Sequence, residues 1–278
     1  MNPPTKKRTR LDPHDGVASS AATLTNAPPQ ERQRSGPGGL FENPAAARMT
    51  PPLRKRLFDL SLCLLTAPVW LVALLVCTIV QLLFEGRPIF YVSVRRVWGK
   101  EQARVLKFRT MVRDAEKIYN RATVPVSDKR FLNTPIDSPM YTRVGRLIER
   151  CQFTELPQVL QVITGTLTIV GNRPLPENVI AALKERYPNT EARFATPSGL
   201  TGLPQLVGRD SLEDADRLAL ETRYCHIVGS HYAASMDFQI LLFTVLIQLR
   251  LMKPLTVEDA QCFLAKFGPQ AICRAADV

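Results

Sequence analysis

The sequence predicts a mixed α/β domain, mostly helical with short strands, that follows a membrane segment. Three observations lead to this fold class: residues 60–84 carry no charge, capping residues precede apolar runs with helical spacing, and short runs of Val, Ile and Phe end in turns. An uncharged stretch of this length exceeds the roughly 20 residues that a membrane helix needs. Capped periodic runs and short β-branched runs are typical of helices and strands, respectively.

Composition limits the classes of partner. The chain has 278 residues, 45% of them hydrophobic, and a net charge of +11. Such a charge favours an anionic partner, which could be nucleic acid, a phosphate-bearing substrate or lipid headgroups. Aromatic residues are only 7% of the chain and are not interleaved with the basic ones, which argues against a nucleic-acid stacking platform. The hypothesis of a nucleic-acid-binding function therefore rests only on the net charge and on the basic N-terminal run. We predict no nucleic-acid partner.

The cysteines form no recognisable metal-binding or redox motif. Its six cysteines lie far apart, with no CxxC pair and no histidine at ligand spacing. The pattern predicts neither a zinc site nor a disulfide framework.

The domain boundaries follow from composition. Residues 1–50 are rich in Pro, Gly, Ala, Ser and Arg without periodic hydrophobicity, and this predicts a disordered N-terminal tail. We place the membrane segment at residues 53–87, the main soluble domain at residues 88–253 and a C-terminal tail at residues 254–278. A second apolar stretch, residues 238–253, is interrupted by Gln248 and suits an interfacial or core helix.

The membrane segment contains a helix breaker. Pro68, next to Ala67, removes a backbone donor and clashes with the preceding turn, so the helix should kink or break there. Positive charges flank both ends, and they give no clear inside–outside asymmetry. On the residues alone, a spanning kinked helix and a segment that enters and returns on one face stay equally open.

Several secondary-structure elements can be placed in the soluble part. Residues 89–92 and 104–107 are predicted strands separated by a basic turn at residues 95–100. Helices are predicted from Asp114 to about Arg121, from Thr142 over residues 143–150, and from Thr154 through residue 163. A further strand, residues 167–170, opens into a turn that presents Arg173, and residues 199–209 present Arg209 similarly.

The densest chemistry lies in residues 107–116, directly after a predicted strand. This stretch holds three cations and two carboxylates, Asp114 and Glu116. Polar groups on irregular backbone after a rigid strand can be aimed at a ligand. The alternative is a solvated turn whose acids favour the first turn of a helix. Arg173 and Arg209 could clamp a diphosphate, because guanidinium binds phosphate in bidentate fashion.

The order of these motifs resembles the bacterial sugar transferases, the monotopic polyprenyl-phosphate phosphoglycosyl transferases. The matching elements cover about residues 53–253. They are Lys55-Arg56-Leu57-Phe58-Asp59, the apolar segment with its proline, Lys107-Phe108-Arg109-Thr110-Met111, Asp114-Ala115-Glu116, Thr142-Arg143-Val144-Gly145, Glu155-Leu156-Pro157-Gln158, Val170-Gly171-Asn172-Arg173-Pro174, Leu200-Thr201-Gly202-Leu203 and Gly208-Arg209.

The resemblance implies a helix-break-helix that enters one leaflet and returns, with an α/β catalytic domain on the cytoplasmic face of the inner membrane. It implies transfer of a sugar 1-phosphate from a nucleotide sugar, usually a UDP-sugar, to undecaprenyl phosphate, with release of UMP and with Mg²⁺. Asp114 would be the nucleophile that forms a phosphosugar-aspartate intermediate, and Asp114 and Glu116 would be catalytic and metal-binding. The resemblance is also compatible with a homo-oligomer. The expected substrate-binding residues are Lys107, Arg109, Arg146, Glu155, Arg173, Arg209 and Glu221.

Four features depart from the family pattern. Thr154 replaces an acid, Asn172 replaces a proline before Arg173-Pro174, and Glu221 replaces an aspartate. The turn after the first strand, residues 93–97, lacks the glutamine and the glycine of the family pattern. The nucleophile motif is intact, so an active enzyme is the expectation. The alternative is a catalytically degenerate membrane scaffold of the same fold within a glycan assembly complex.

Overall fold

A computed structural model describes residues 49–115, 136–208 and 212–268. The mixed α/β class, mostly helical with short strands, is confirmed. The predicted N-terminal tail lies almost entirely outside the described residues. The helices are α1 (Leu53–Leu65), α2 (Ala67–Phe84), α3 (Arg143–Arg150), α4 (Val159–Thr164), α5 (Glu177–Arg186), α6 (Leu203–Val207), α7 (Asp214–His231), α8 (Ala234–Gln248) and α9 (Val257–Ala265), and the strands are β1 (Phe90–Trp98), β2 (Glu101–Phe108), β3 (Thr168–Val170) and β4 (Gly199–Thr201).

The predicted membrane segment forms two consecutive helices. Helix α2 is long and apolar enough to cross a membrane, with a mean hydropathy of 2.4. The break falls at Thr66, one residue before the predicted position, and Pro68 lies in the first turn of α2. The first turn of a helix does not use its N–H groups for hydrogen bonds within the helix, so a proline is tolerated there. The same proline cannot continue a preceding helix, because its ring clashes with the turn before it.

Side chains bind carbonyls at the break. The Trp70 indole donates to the carbonyl of Cys63 at 2.8 Å. The Thr66 hydroxyl donates at 2.7 Å to the carbonyl of Leu62, which also accepts from the backbone N–H of Thr66 at 3.0 Å. These bonds matter in an apolar environment, because an unpaired backbone group in lipid costs several kcal/mol.

Both ends of this helix pair contact the same domain. Near the start of α1, Lys55 forms a buried ion pair with Asp237 of α8 at 2.6 Å. One turn later, Asp59 accepts from the Thr168 hydroxyl at 2.6 Å. At the end of α2, Gln81 donates to the carbonyl of Arg109, and Glu85 accepts from the backbone N–H of Val144 at 3.1 Å.

The first two strands form an antiparallel hairpin that is longer than predicted. Residues 95–98, expected in the basic turn, continue β1, and the turn is reduced to Gly99 and Lys100. Side chains on one hairpin face include Ser93, Arg95 and Lys107, since successive residues of a strand alternate between faces. Gln161 of α4 bonds to the outer edge of β2, where its amide accepts from the N–H of Leu106 and donates to the carbonyl of Arg104.

A second, parallel pair of strands carries the main core. Strands β3 and β4 pair at Thr168–Gly199 and Val170–Thr201, and they are packed against α1, α4 and α8. Helix α9 belongs to this core, since its Ala260, Phe263 and Leu264 are buried. The C-terminal tail predicted from residue 254 therefore begins with a core helix. A Thr256–Asp259 capping box starts this helix.

Two predicted helix starts need correction. The Thr154 hydroxyl donates to Glu149 at 2.5 Å instead of capping, and the helical turns begin with a 3₁₀ turn at Leu156–Gln158 that leads into α4. Asp114 has a φ of 55°, which is left-handed, so it lies in a turn, and helical backbone begins one residue later, at Ala115. The remainder of the helix predicted to about Arg121 lies outside the described residues. By contrast, Thr142 caps α3 as predicted, accepting from the N–H of Gly145 at 2.9 Å.

Candidate active site

Asp114 lies on an exposed turn that follows β2. Its φ of 55° is uncommon outside glycine, although aspartate tolerates this conformation better than most residues. The turn is tied to the segment before α3. Thr142 donates its N–H to the carbonyl of Thr110 at 3.1 Å, and Val112 donates to the carbonyl of Met140 at 2.9 Å. The carboxylate is therefore presented to solvent by backbone that is fixed on two sides.

Gly145 shows how closely α3 approaches this turn. A Cβ added at Gly145 would lie 2.0 Å from the carbonyl oxygen of Thr110. Only glycine allows that approach, which explains the glycine in the Thr142-Arg143-Val144-Gly145 motif.

Arg109, predicted to bind substrate, is occupied by backbone. Its Nε donates to the carbonyl of Pro88 at 2.6 Å, and its Nη1 and Nη2 donate to the carbonyls of Met111 and Glu85. All three nitrogens are engaged, and the side chain is buried. In this arrangement Arg109 holds the end of α2 against the Asp114 turn, and each of its nitrogens bonds to a backbone carbonyl.

Three other predicted residues come together at the end of β2. Glu155 accepts from Lys107 Nζ at 2.7 Å and from Arg173 Nη2 at 3.0 Å through the same oxygen. Arg95 and Gln158 line the same small cavity. We call these five residues (Arg95, Lys107, Glu155, Gln158 and Arg173) the basic cluster. It holds three cations and one carboxylate, a net charge of +2.

The electrostatics of the basic cluster favour an anion. Burial lowers the pKa of the Lys107 ammonium, and the nearby charges of Arg173 and Arg95 lower it further, while Glu155 opposes the shift. Gln158 is 2% exposed, and its Nε2 has no hydrogen-bond partner among the described residues. A buried donor without a partner is unfavourable, and an anion in the cavity would satisfy it.

The cavity of the basic cluster is small, at about 20 Å³. That volume holds about one water molecule. A phosphate could enter only if Glu155 or Arg173 moved, and Arg173 is partly exposed and able to do so.

A buried network fixes the turn that carries Arg173. Arg193 forms a two-bond ion pair with Glu221, at 2.5 and 2.7 Å, and donates to the carbonyl of Arg173 at 3.0 Å. The Asn172 amide donates to the carbonyls of Arg193 and Glu221 at 2.8 and 3.1 Å. Glu221 was predicted to bind substrate, but it is 1% exposed and its carboxylate binds Arg193. It can therefore influence a ligand only through the position of Arg173.

The remaining predicted residues lie elsewhere. Arg146 lies on α3, where its Nη2 donates to the carbonyl of Tyr141 at 3.4 Å. Glu116 and Arg209 lie outside the described residues. Ala67 and Pro68 lie at the start of α2 as expected.

Sequence reasoning missed several residues that build the site. Arg95 and Gln158 were not singled out as site residues, and Arg193 was not noticed at all. Lys55 was noticed only as part of a motif, yet it is 1% exposed and bonds to Asp237, Tyr224 and the carbonyl of Val170. No local signal singled out Lys55, since Arg54 flanks the same apolar run and is exposed.

The donor set around Asp114 is compatible with magnesium. Residues 49–115, 136–208 and 212–268 contain no group of three side chains from His, Cys, Asp and Glu that could hold a metal. Magnesium commonly uses one or two carboxylates and completes its shell with water and substrate phosphates. An exposed aspartate on a turn fits that mode of binding.

Comparison with known proteins places the chain in a family. A family model described as bacterial sugar transferase matches residues 50–250. The exopolysaccharide production protein ExoY of Sinorhizobium fredii is 32% identical over 189 residues, 64% of this chain and 80% of the relative. The uncharacterized sugar transferase EpsL of Bacillus subtilis is 31% identical, over 69% of this chain and 85% of the relative.

A third relative has a more specific name. The UDP-glucose:undecaprenyl-phosphate glucose-1-phosphate transferase of Caulobacter vibrioides is 30% identical over 161 residues, 58% of this chain and 56% of the relative. The family match covers most of the chain, including the hairpin, the Asp114 turn and the basic cluster. This chain belongs to the bacterial sugar transferase family.

Proposed function

We propose that this chain transfers a sugar 1-phosphate from a nucleotide sugar, a UDP-sugar, to undecaprenyl phosphate. The reaction would be the first membrane step in the assembly of an exopolysaccharide, capsule or O-antigen. The observation that carries the proposal is an exposed carboxylate, Asp114, on a fixed turn that follows the strand end bearing the basic cluster. The name of the Caulobacter vibrioides relative supports the same donor and acceptor classes.

In the first step, an Asp114 carboxylate oxygen attacks the phosphorus that bears the sugar. The new bond joins Asp114 to that phosphorus, and the bond to the oxygen of the nucleoside monophosphate breaks. UMP leaves with the electron pair. A covalent step of this kind divides one difficult displacement into two easier ones.

In the second step, an oxygen of the lipid phosphate attacks the same phosphorus. The bond to Asp114 breaks, which regenerates the carboxylate and leaves the sugar joined to the lipid through a diphosphate. Both steps crowd negative charge around the phosphorus. Preorganised cations are the main means of stabilising such charge.

The basic cluster supplies cations for the donor diphosphate. Glu155 neutralises part of their charge here, so a phosphate would compete with Glu155 for Lys107 and Arg173. Arginine suits this exchange because its guanidinium can bind a carboxylate or a phosphate in the same geometry.

Magnesium, held by Asp114 and Glu116, would neutralise charge on the diphosphate when bound.

We further propose that the α1–α2 pair enters one leaflet of the inner membrane and returns to the cytoplasmic face. The contacts of Lys55 and Asp59 at one end, and of Gln81 and Glu85 at the other, support this topology, because both ends reach the same domain. Helix α1 is about 20 Å long at 1.5 Å per residue, shorter than the roughly 30 Å hydrocarbon core.

The alternative scaffold function is less well supported. Its motivation was the departures at Thr154, Asn172 and Glu221. Each of these side chains has hydrogen-bond partners, and Lys107, Glu155 and Arg173 remain together. The departures therefore do not dismantle the basic cluster.

A direct assay tests the proposed function. The purified full-length chain in nanodiscs is incubated with Mg²⁺ and a panel of UDP-sugars, with and without undecaprenyl phosphate. We expect UMP and a lipid-linked sugar diphosphate in the complete mixture, and with donor alone a phosphosugar adduct on the peptide containing Asp114. Release of UDP in place of UMP would instead indicate ordinary glycosyl transfer.

A further inference from the structure

A cleft opens where the membrane helix pair meets the catalytic domain. It has a volume of about 380 Å³ and is lined by the end of α2 and the start of α3. We call its lining residues (Phe84, Glu85, Thr142, Arg143 and Val144) the apolar cleft, because Phe84 and Val144 provide its hydrophobic wall.

The walls of the apolar cleft are fixed. Glu85 accepts from the N–H of Val144 at 3.1 Å, and its other carboxylate oxygen lies 3.7 Å from Arg109 Nη2. Thr142 is held by the hydrogen bond that its hydroxyl accepts from the N–H of Gly145. One oxygen of the acid in the lining is thus bonded to protein. The other, Oε2, is buried beside Arg109 and has no hydrogen-bond partner among the described residues. The charged side chain that faces solvent is Arg143, which is exposed.

One wall leads directly to the nucleophile. Thr142 donates to the carbonyl of Thr110, and Met111 pairs with Tyr141 in an isolated β-bridge. Asp114 lies three residues beyond Met111. A ligand in the apolar cleft would therefore lie against the backbone that presents Asp114.

The opposite side is continuous with the membrane-facing surface. Leu83 and Phe84 at the end of α2 are 72% and 76% exposed, and Leu147 on α3 is 58% exposed. Exposed apolar residues next to a membrane helix are typical of a lipid contact. The hydrophobic side of the apolar cleft thus meets the bilayer, and its other side meets the Asp114 turn.

Cationic groups stand at the polar side. Arg143 is the cation in the lining, and Arg146 follows it three residues later on α3, outside the lining. The buried Nε of Arg146 has no hydrogen-bond partner among the described residues. An unpaired guanidinium nitrogen is unfavourable when buried, and a phosphate oxygen would satisfy it. The ligand that fits carries an apolar chain and one anionic phosphate.

We propose that the apolar cleft is the binding site for the prenyl phosphate acceptor, with its chain against Phe84 and Val144 and its phosphate toward Arg143 and Arg146. This assignment rests on the proposed function. It gives the two substrates different entrances, because the donor diphosphate is assigned to the basic cluster.

A photoaffinity experiment tests the site without needing turnover. The full-length chain in nanodiscs is irradiated with farnesyl phosphate that carries a diazirine on its first isoprene unit, and labelled peptides are mapped by mass spectrometry. We expect labelling within residues 84–87 or 142–147 that unlabelled undecaprenyl phosphate suppresses. Labelling at Lys107 or Arg173, or labelling that undecaprenyl phosphate does not suppress, overturns the proposal.

Two variants sharpen the result. In Arg143→Gln, loss of one charged phosphate contact should raise the KM for undecaprenyl phosphate about five- to tenfold without changing the KM for the UDP-sugar. Arg150→Gln, on the exposed end of the same helix, is the matched control and should behave like the wild type. Val144→Phe fills the apolar cleft without altering charge and should also reduce labelling, with an unchanged melting temperature showing that the chain is folded.

The outcomes separate the two proposals. Suppressible labelling in the apolar cleft without any turnover would keep the prenyl phosphate site and reject the proposed transferase reaction. Turnover with labelling elsewhere, or with an acceptor KM unchanged in both Arg143→Gln and Val144→Phe, would keep the reaction and reject this site.

Discussion

The basic cluster and the apolar cleft are connected by the segment from Lys107 to Asp114, and they differ in almost every physical respect. The basic cluster is closed to about 20 Å³ and its charges pair with each other. The apolar cleft is open at about 380 Å³ and faces the exposed surface of α2. A hydrophilic diphosphate is best recognised by exchanging ion pairs, whereas an amphiphile needs an open apolar wall with a charge at one end. The difference suggests how one carboxylate can serve two dissimilar substrates in turn.

The largest effect is expected from a substitution of Asp114, the carboxylate that both regions serve. Asp114→Asn should lower turnover by at least about 1000-fold, because an amide is a poor nucleophile toward phosphorus. Both UMP release and lipid product should disappear together. Asp137→Asn, at an exposed position with a long 3.6 Å ion pair to Arg150, is the control. Substantial UMP release by Asp114→Asn would show that another residue is the nucleophile.

The next effect should fall on the donor side alone. Arg173→Ala should lower kcat/KM for the UDP-sugar about 100-fold, since it removes a charged phosphate contact that we expect to strengthen in the transition state. The KM for undecaprenyl phosphate should not change. Arg104→Ala, on the exposed surface of β2, provides a comparison of equal charge. A change in the KM of Arg173→Ala for undecaprenyl phosphate would indicate that the two regions form one site.

A smaller effect should reach the basic cluster from a distance. Glu221→Gln weakens the ion pair with Arg193, which donates to the carbonyl of Arg173, and should raise the KM for the UDP-sugar about tenfold. It should also lower the melting temperature, because weakening a buried ion pair leaves Arg193 poorly compensated. Glu213→Gln, exposed just before α7, is the control. If kcat and both KM values stay at wild-type levels, Glu221 has only a structural role.

The smallest effect concerns pH. The pKa of Lys107 lies below its ordinary value of 10.5, first because of burial and then because of Arg173 and Arg95. The ammonium is lost as the pH rises through that lowered pKa, so donor kcat/KM should fall on the alkaline side. Lys107→Arg stays charged over the whole accessible pH range and should move this alkaline limb upward. If the alkaline limb of the pH profile is unchanged in Lys107→Arg, a group other than Lys107 is responsible for it.

Sequence patterns anticipated the local elements well where the signal was local. The cap at Thr142 and the break beside Pro68 depend on groups within a few residues, and both were confirmed, the break with a shift of one residue. The Asp114 turn shows the limit of this reasoning. Its acids indicated a helix start, but the backbone at Asp114 is left-handed, and contacts with residues 140–142 hold the turn.

The partners of charged side chains could not be read from the sequence. Arg109, Arg173 and Glu221 all appeared equally suited to substrate. Only the fold separates them, since Arg109 binds the carbonyls after α2, Glu221 is buried against Arg193, and Arg173 lies partly exposed beside Lys107.

By itself the sequence determined the fold class, the membrane segment with its break, the family and the short motifs that carry charge, because these depend on composition and near-neighbour spacing. The tertiary structure alone decided which charges meet. Lys107 and Glu155 are 48 positions apart, and Lys55 and Asp237 are 182 apart. Whether a charge is paired, buried or available to a ligand depends on these distant partners, and no local pattern encodes them.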